Sequence, residues 1–377
     1  MRGGGSCKRG ESAIHRVQEV ALPALALERE YDVARVLGEG CFARVLLATH
    51  RRTGAAVVLK AVHAEVTPLR DFYREFHYSY HLSAHPCVLS VYAVAFRADH
   101  CYVFAQEYAP YGDLAGNVKA GGLPEEACKR VAQQLAFALE FLHSKELVHR
   151  DLKLENVLVF APDMSKIKLC DFGETRRDGT LVSKVRCTWQ AFQPPEVVEV
   201  VQNERYHCRV ASDCWQLGIA LFVCLTGCPP WQSADAISDA AYCAFSRWQK
   251  RRTTKLPPPF RRFAPRLLRL LRRLLEHKPD KRAPVVEVNK YLKDAWVAAA
   301  AGGGGAGTAG GCSSGSRPRE SSADDAPHAP DEGNAHLKKL LSSYGLETTV
   351  DQKLISKRVW EWVLACEANA EPSLEGI

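Results

Sequence analysis

Gly38-Glu39-Gly40-Cys41-Phe42-Ala43-Arg44-Val45 lies between two segments that read as strands. Glycines there let backbone amides approach phosphate oxygens without Cβ interference, although two glycines in a hairpin also suit an ordinary turn. The next strand, Val57-Val58-Leu59-Lys60, ends in a lysine, and Glu75 follows fifteen residues on, inside a predicted helix. That lysine could hold phosphates while pairing with the helix carboxylate. The bland alternative is a solvated surface pair, which would contribute under about 1 kcal/mol. A third segment, His149-Arg150-Asp151-Leu152-Lys153-Leu154-Glu155-Asn156, places an ammonium and a carboxamide two and five residues beyond the Asp151 carboxylate. Asp171-Phe172-Gly173 follows fifteen residues after Asn156.

The elements that must position these groups come from periodicity. From Val33 to His63 the chain reads as short strands rich in Val, Leu and Ala, punctuated by Gly38, Gly40 and Thr53-Gly54, which predicts an antiparallel meander. Pro68 suits the first turn of a helix in which Phe72, Phe76, Tyr80 and Leu82 recur near helical spacing up to His85-Pro86. Two more strands fit Val88 to Phe96 and His100 to Glu107. A helix then runs from Pro124 to about His143, and the chain stays mostly helical to Trp296.

Together the four motifs, in this order and spacing, resemble the protein kinase superfamily over roughly Tyr31 to Trp296. The resemblance implies an α+β, two-lobed fold: a small antiparallel β-sheet lobe with one helix, residues 29–109, and a larger mainly α-helical lobe, residues 110–296. It implies ATP and magnesium as cofactors and transfer of the γ-phosphoryl group to protein hydroxyls. Carried over position by position, Lys60 would hold the α and β phosphates and pair with Glu75, while Asn156 and Asp171 would ligate the metal. Asp151 would orient the acceptor hydroxyl and take its proton, and Lys153 would favour the charge gathering on the transferred group. Leu37, Gly38, Glu39, Gly40, Cys41, Phe42 and Ala43 would cover the phosphates. Val45 and Val58 would roof the adenine, Leu158 would floor it, Glu107 and Ala109 would offer backbone groups, and Gln106 would be the gatekeeper. Asp113 matches a ribose-contacting acid, and equally well a helix cap. Glu196 of Pro194-Pro195-Glu196 and Arg282 would form a structural ion pair, and Asp213-Cys214-Trp215-Gln216-Leu217-Gly218 matches a structural helix.

Some positions depart from the family pattern. The third loop glycine is Ala43, and Cys187-Thr188 and Trp189 make the substrate-docking loop unusual. Alanine still permits close approach, so altered affinity or loop mobility is expected and activity is retained. Phe72-Tyr73-Arg74-Glu75-Phe76-His77-Tyr78, Cys170-Asp171-Phe172-Gly173 and the run from Cys187 to Glu196 resemble the Src-homology-3-binding-domain serine/threonine kinases. Pro327-His328-Ala329-Pro330 has ligand spacing for such domains but lies among acids without a flanking arginine, so no such partner is expected. Lys153 after Asp151-Leu152 is similar to serine/threonine kinases, so the expected acceptor is Ser or Thr. Arg150 before the catalytic Asp often pairs, in that family, with an activation-loop phosphate; Thr175, Thr180 and Ser183 are candidates.

Net charge is +7, yet residues 247–282 carry fourteen Lys or Arg against Glu276 and Asp280, hence +12. Arg266-Leu267-Leu268-Arg269-Leu270-Leu271-Arg272-Arg273-Leu274-Leu275 reads as an ordinary late helix, with docking of acidic proteins as the sharper alternative. No aromatic platform accompanies the charge, so nucleic acid is not expected. The 14 cysteines are scattered and no secretory signal opens the chain, which favours reduced thiols in a cytosolic or nuclear protein, and a monomer is expected. Cys224 and Cys228 read as core, and Leu217 to Cys228 is too short to cross a bilayer, so no membrane is expected. Residues 1–28 are expected to form a flexible arm, 297–334 a disordered Ala/Gly/Ser-rich linker, and 335–377 a segment with one or two short helices. Two rival readings remain: a pseudokinase scaffold, against which Lys60, Asp151, Asn156 and Asp171 argue, and an interaction protein acting through its C-terminal tail.

Overall fold

A computed structural model describes residues 13–184, 190–201 and 204–298. Cys187, Thr188 and Trp189, the linker from residue 299 and the segment 335–377 lie outside them. A short helix α1 (Leu27–Glu30) leads into β1 (Tyr31–Glu39), β2 (Ala43–His50) and β3 (Ala56–His63), consecutive antiparallel partners as the meander predicts. With helix α2 (Leu69–Leu82) and strands β4 (Val91–Ala98) and β5 (Cys101–Gln106), the small lobe is complete. Its sheet order is β1-β2-β3-β5-β4.

Successive strand residues face opposite sides, and β3 uses both. Val57, Leu59 and Ala61 join Tyr31, Leu46 and Phe96 in one apolar cluster. Val62 faces the other way and packs with Phe72 and Phe76 of α2, the face that Lys60, two residues earlier, shares. Phe72 and Phe76 stand one helical turn apart and stack at 6.4 Å, and Phe76 meets Phe104 of β5 at 5.8 Å. That contact sets α2 beside the sheet with Glu75 toward β3.

The large lobe carries α3 (Leu114–Asn117), α4 (Glu125–Ser144), α5 (Pro195–Val198), α6 (Val210–Thr226), α7 (Ala240–Gln249) and α8 (Pro265–Leu274). Cys128, Val131, Ala132, Leu135, Leu139 and Leu142 give α4 one buried stripe. The centre of the lobe is α6, buried on all sides, which is the expected buried helix. A Cβ on Gly218 would meet Leu275 at 2.8 Å, so the helix approaches its neighbour only without a side chain there. In α8 the leucines Leu267, Leu270, Leu271 and Leu274 are buried, as an ordinary late helix requires. Cys224 is core, and among the described residues no helix is long and apolar enough to cross a membrane.

Two features were not foreseen. Among its described residues the large lobe also holds three two-stranded ladders: β6 (Leu147–Val148) with β9 (Arg176–Arg177), β7 (Val157–Val159) with β8 (Ile167–Leu169), and β10 (Leu181–Ser183) with β11 (Arg205–His207). Runs of two or three residues are too short to show a period. The second correction concerns residues 13–28, assigned by sequence to a mobile arm. They instead lie along the domain: Pro23 O accepts from Arg97 N at 2.9 Å, Leu25 N donates to Arg97 O at 2.9 Å, and Val20 and Leu22 pack beside Phe72 and Phe76. The alternation Val20, Leu22 and the pair Leu25, Leu27 is a strand-like signal that the mixed charge obscures.

Candidate active site

The loop between β6 and β7 is held from beneath by α6. Asp213, fully buried on α6, accepts from the backbone N–H of His149 at 2.8 Å and of Arg150 at 2.9 Å. The His143 ring lies 2.9 Å from the same carboxylate. Burial would raise the Asp213 carboxyl, but His143 and the donated bonds outweigh it and hold its pKa below the usual range. One turn later Gln216 accepts from Leu152 N at 3.1 Å and donates to Arg150 O at 3.1 Å. These bonds sustain Arg150 at φ 73°, a left-handed conformation that costs a non-glycine residue energy.

On that platform the three residues picked out by spacing meet. Lys153 Nζ donates to Asp151 Oδ2 at 2.7 Å, and Asn156 Nδ2 donates to the same Oδ2 at 3.0 Å and to Asp151 O at 2.8 Å. Cys170 N donates to Asn156 O at 2.9 Å, which draws the end of β8 and Asp171 alongside. Phe172 is buried in the large-lobe core, edge-on to His149 at 5.3 Å. With Phe172 inward, Asp171, at φ 64°, faces the small lobe. There Lys60 Nζ lies 2.5 Å from Glu75 Oε1 and 3.3 Å from Asp171 Oδ1.

The geometry decides between the Lys60–Glu75 alternatives: the two side chains are only 13% and 11% exposed, a shielded pair and not a solvated one, while Asp171 stays partly open to solvent. Burial opposes the Lys60 charge, but Asp171 and Glu75 outweigh it and raise the pKa above the lysine range. Burial likewise opposes the Asp171 charge, and Lys60 overcomes it and holds that carboxyl low. For Glu75, burial and the nearby Asp171 win against Lys60, and its pKa is raised.

The other candidates lie on β1–β3, at and just after the end of β5, and on β7. Leu37, Gly38 and Glu39 end β1, and Ala43 and Val45 begin β2. Gly40 N donates to Ala43 O at 2.9 Å, closing the turn through Cys41 and the exposed Phe42, so the segment is a hairpin as well as a loop. Val45 pairs with Lys60 and Val58 with Gln106 across the sheet. The Glu107 side chain is tied to Lys168 of β8 and accepts from Ser90 N at 2.6 Å, with Ala109 buried two residues on. Asp113 caps α3, accepting from Gly116 N at 2.7 Å, and bridges Leu158 on β7. Its capping role is therefore present.

Below the cleft, Arg282 and Glu196 form the expected bidentate pair at 2.8 and 2.9 Å. Arg282 also donates to Ala211 O at 2.7 Å and lies over the Trp215 ring at 5.1 Å. Spacing did not point to Gln216, His143, Lys168 or Glu174. Glu174 accepts from Arg150 Nη1 at 3.1 Å, and Ser183 O accepts from Arg150 Nη2 at 2.7 Å. The position of Gln216, one helical turn after Asp213 on the same face, is the signal that could have found it.

The family model described as protein kinase domain matches residues 31–297. The chain belongs to the protein kinase family. This kinase is 46% identical over 374 residues to serine/threonine-protein kinase meng-po of Drosophila melanogaster, covering 98% of this chain and 82% of that protein. It is 42% identical over 277 residues to serine/threonine-protein kinase SBK1 of Danio rerio, covering 73% and 71%. Against serine/threonine-protein kinase SBK2 of Homo sapiens the identity is 36% over 297 residues, covering 77% and 85%. The narrower resemblance, to the Src-homology-3-binding-domain kinases, agrees with those similarities, and the two-lobed fold agrees with the family.

Proposed function

We infer that this chain transfers the γ-phosphoryl group of ATP to serine or threonine hydroxyls of proteins. One observation carries the reading: the Lys60–Glu75–Asp171 triad joins side chains of both lobes, and Asp171 follows Cys170, whose N–H is bonded to Asn156 of the Asp151–Lys153–Asn156 cluster. The Asn156 amide nitrogen is spent on Asp151, which leaves its oxygen as the acceptor, and Asp171 is held ionised. Two hard oxygens suit magnesium, which completes its shell with water and phosphate oxygens. Bound there, the metal would neutralise phosphate charge.

The residues of the chain do the rest. Lys60 holds the α and β phosphates, with Glu75 fixing its direction. The Gly38–Ala43 hairpin covers the phosphates, Val45, Val58 and Leu158 enclose the base, and Glu107 and Ala109 present backbone groups beside Gln106. Asp151 accepts a hydrogen bond from the acceptor hydroxyl and takes its proton. Lys153, already bonded to Asp151, stands where negative charge gathers in the transition state. We further propose that the basic face around residues 247–282 docks acidic protein segments.

The deciding assay compares wild type with Asp151→Asn, using labelled ATP, magnesium and a degenerate peptide library. Wild type is expected to label Ser or Thr, and the variant to lose about 10²- to 10⁴-fold in turnover while still binding ATP. Silence from both proteins with ATP bound would instead support a nucleotide-binding scaffold.

A further inference from the structure

Residues 13–25 touch both lobes in sequence. Ile14 packs against the core cluster that runs from Tyr78 and Leu82 of α2 into the large lobe, and the His15 ring lies 3.9 Å from the large-lobe Glu146, the carboxylate that also receives Arg177 at 2.9 Å. The strap is then hydrogen-bonded to α2 through His77. His77, 3% exposed, has its Nε2 3.0 Å from Ile14 O and accepts on Nδ1 from Gln18 N at 3.4 Å. A neutral ring with the proton on Nε2 satisfies both partners at once. Val20 and Leu22 continue beside Phe72 and Phe76, and Pro23 and Leu25 pair with Arg97 on β4.

The position of His77 on its helix gives this clasp a consequence. Two residues along an α-helix are about 200° around its axis, so His77 points away from the side that carries Glu75. Ile14 and Gln18 therefore hold α2 on the side away from Glu75, while Val20 and Leu22 flank it beside Phe72 and Phe76. Retreat of α2 from Lys60 would drive His77 into the strap, disturbing its two hydrogen bonds and the packing of Val20 and Leu22 beside Phe72 and Phe76. With its other end on the large lobe, the strap resists that movement relative to both lobes.

We propose that residues 13–25 form a clamp that holds α2 with Glu75 on Lys60, and that His77 is the positioning residue through which it acts. His77 touches neither substrate nor phosphate; its effect on transfer passes through Glu75. The kinetic part rests on the phosphotransfer reading, whereas the position of α2 is measurable without it.

The test uses the full chain in five forms: wild type, the disrupting variants His77→Phe and Ile14→Asp, their double variant, and His77→Gln as the rescuing form. Hydrogen exchange is followed at amides 69–82 of α2, with the amides of α6 as the control for folding. Exchange across α2 is expected to quicken about tenfold in each single variant, with α6 unchanged and no further increase in the double, since both cut the same clasp. His77→Gln, whose amide can still donate to Ile14 O, is expected to recover most of the protection. In the transfer assay, kcat/KM for ATP should fall about tenfold in the variants that lose α2 protection and return with His77→Gln. Ile14 lies on the strap and outside the lobes' own elements, so Ile14→Asp reports even where His77→Phe unfolds. Unchanged α2 exchange in Ile14→Asp, or additive losses in the double variant, would overturn the clamp. Absence of transfer by wild type would overturn the functional reading and leave the exchange result standing.

Discussion

Asp213 shows how much a single buried carboxylate can govern. Two backbone N–H groups and an imidazole converge on it, so Asp213→Asn would offer one acceptor oxygen and turn an NH₂ toward donors. Transfer is expected to fall at least about tenfold, and stability by about 2–4 kcal/mol, measured by denaturant unfolding. The pH dependence has a definite sign. A carboxyl whose folded pKa lies below its unfolded value of about 3.9 stabilises above that value and ceases to as pH falls through the folded pKa. The gap in stability between wild type and Asp213→Asn should therefore be full at pH 7 and shrink below about pH 4. A gap independent of pH would refute this account of Asp213. At this scale the sequence was informative where spacing is local: Asp151, Lys153 and Asn156 lie within six residues and meet as that spacing suggests. It was silent on Gln216, whose bond to Leu152 spans 64 residues, and on Glu174 and Lys168, whose charges read as ordinary surface groups.

Elements carry the next level of constraint, and the Arg282–Glu196 pair joins two of them. Arg282 follows the turn after α8, its guanidinium is buried, and it binds Glu196 of α5 and the carbonyl of Ala211 in α6. Removing it strands a partly buried carboxylate and a carbonyl together. Arg282→Met should cost about 3–5 kcal/mol in a denaturant melt. Arg282→Lys should recover less than half, because an ammonium cannot supply the two parallel bonds together with the stacking over Trp215. Full recovery by lysine would show that charge alone is what the site needs. Long elements were legible because burial imprints a period over many residues: α2 was expected from Pro68 and spans Leu69–Leu82, and α4, expected from Pro124 to about His143, spans Glu125–Ser144. The ladders β6–β9 and β10–β11 and the strap were not, since a two-residue strand has no period and the packing of the strap is set by surfaces distant in sequence.

Across the whole molecule, charge is distributed in a way that folding explains only in part. Some arginines of the basic stretch are used internally: Arg266 with Asp294, Arg273 with Glu287, Arg282 with Glu196, and Arg272 against Gln249 O and Trp248. The segment between α7 and α8 is different. Lys250, Arg251, Arg252, Lys255, Arg261 and Arg262 are all exposed, and no acid lies between residues 250 and 265. Clustering like charge on one loop costs self-repulsion, which an acidic ligand would relieve. Glutamate at 251, 252 and 261 together should raise KM for an acidic protein substrate about tenfold and leave KM for a neutral peptide unchanged. Because the screening length shrinks from about 10 Å at 0.1 M salt to about 3 Å at 1 M, the wild-type preference for the acidic substrate should collapse over that range. Stability should change little, as exposed charges on a loop contribute within about 0.5 kcal/mol. Equal KM values for the two substrates at low salt, or a preference that survives 1 M salt, would remove the basic face from substrate selection and leave it as a solubilising surface.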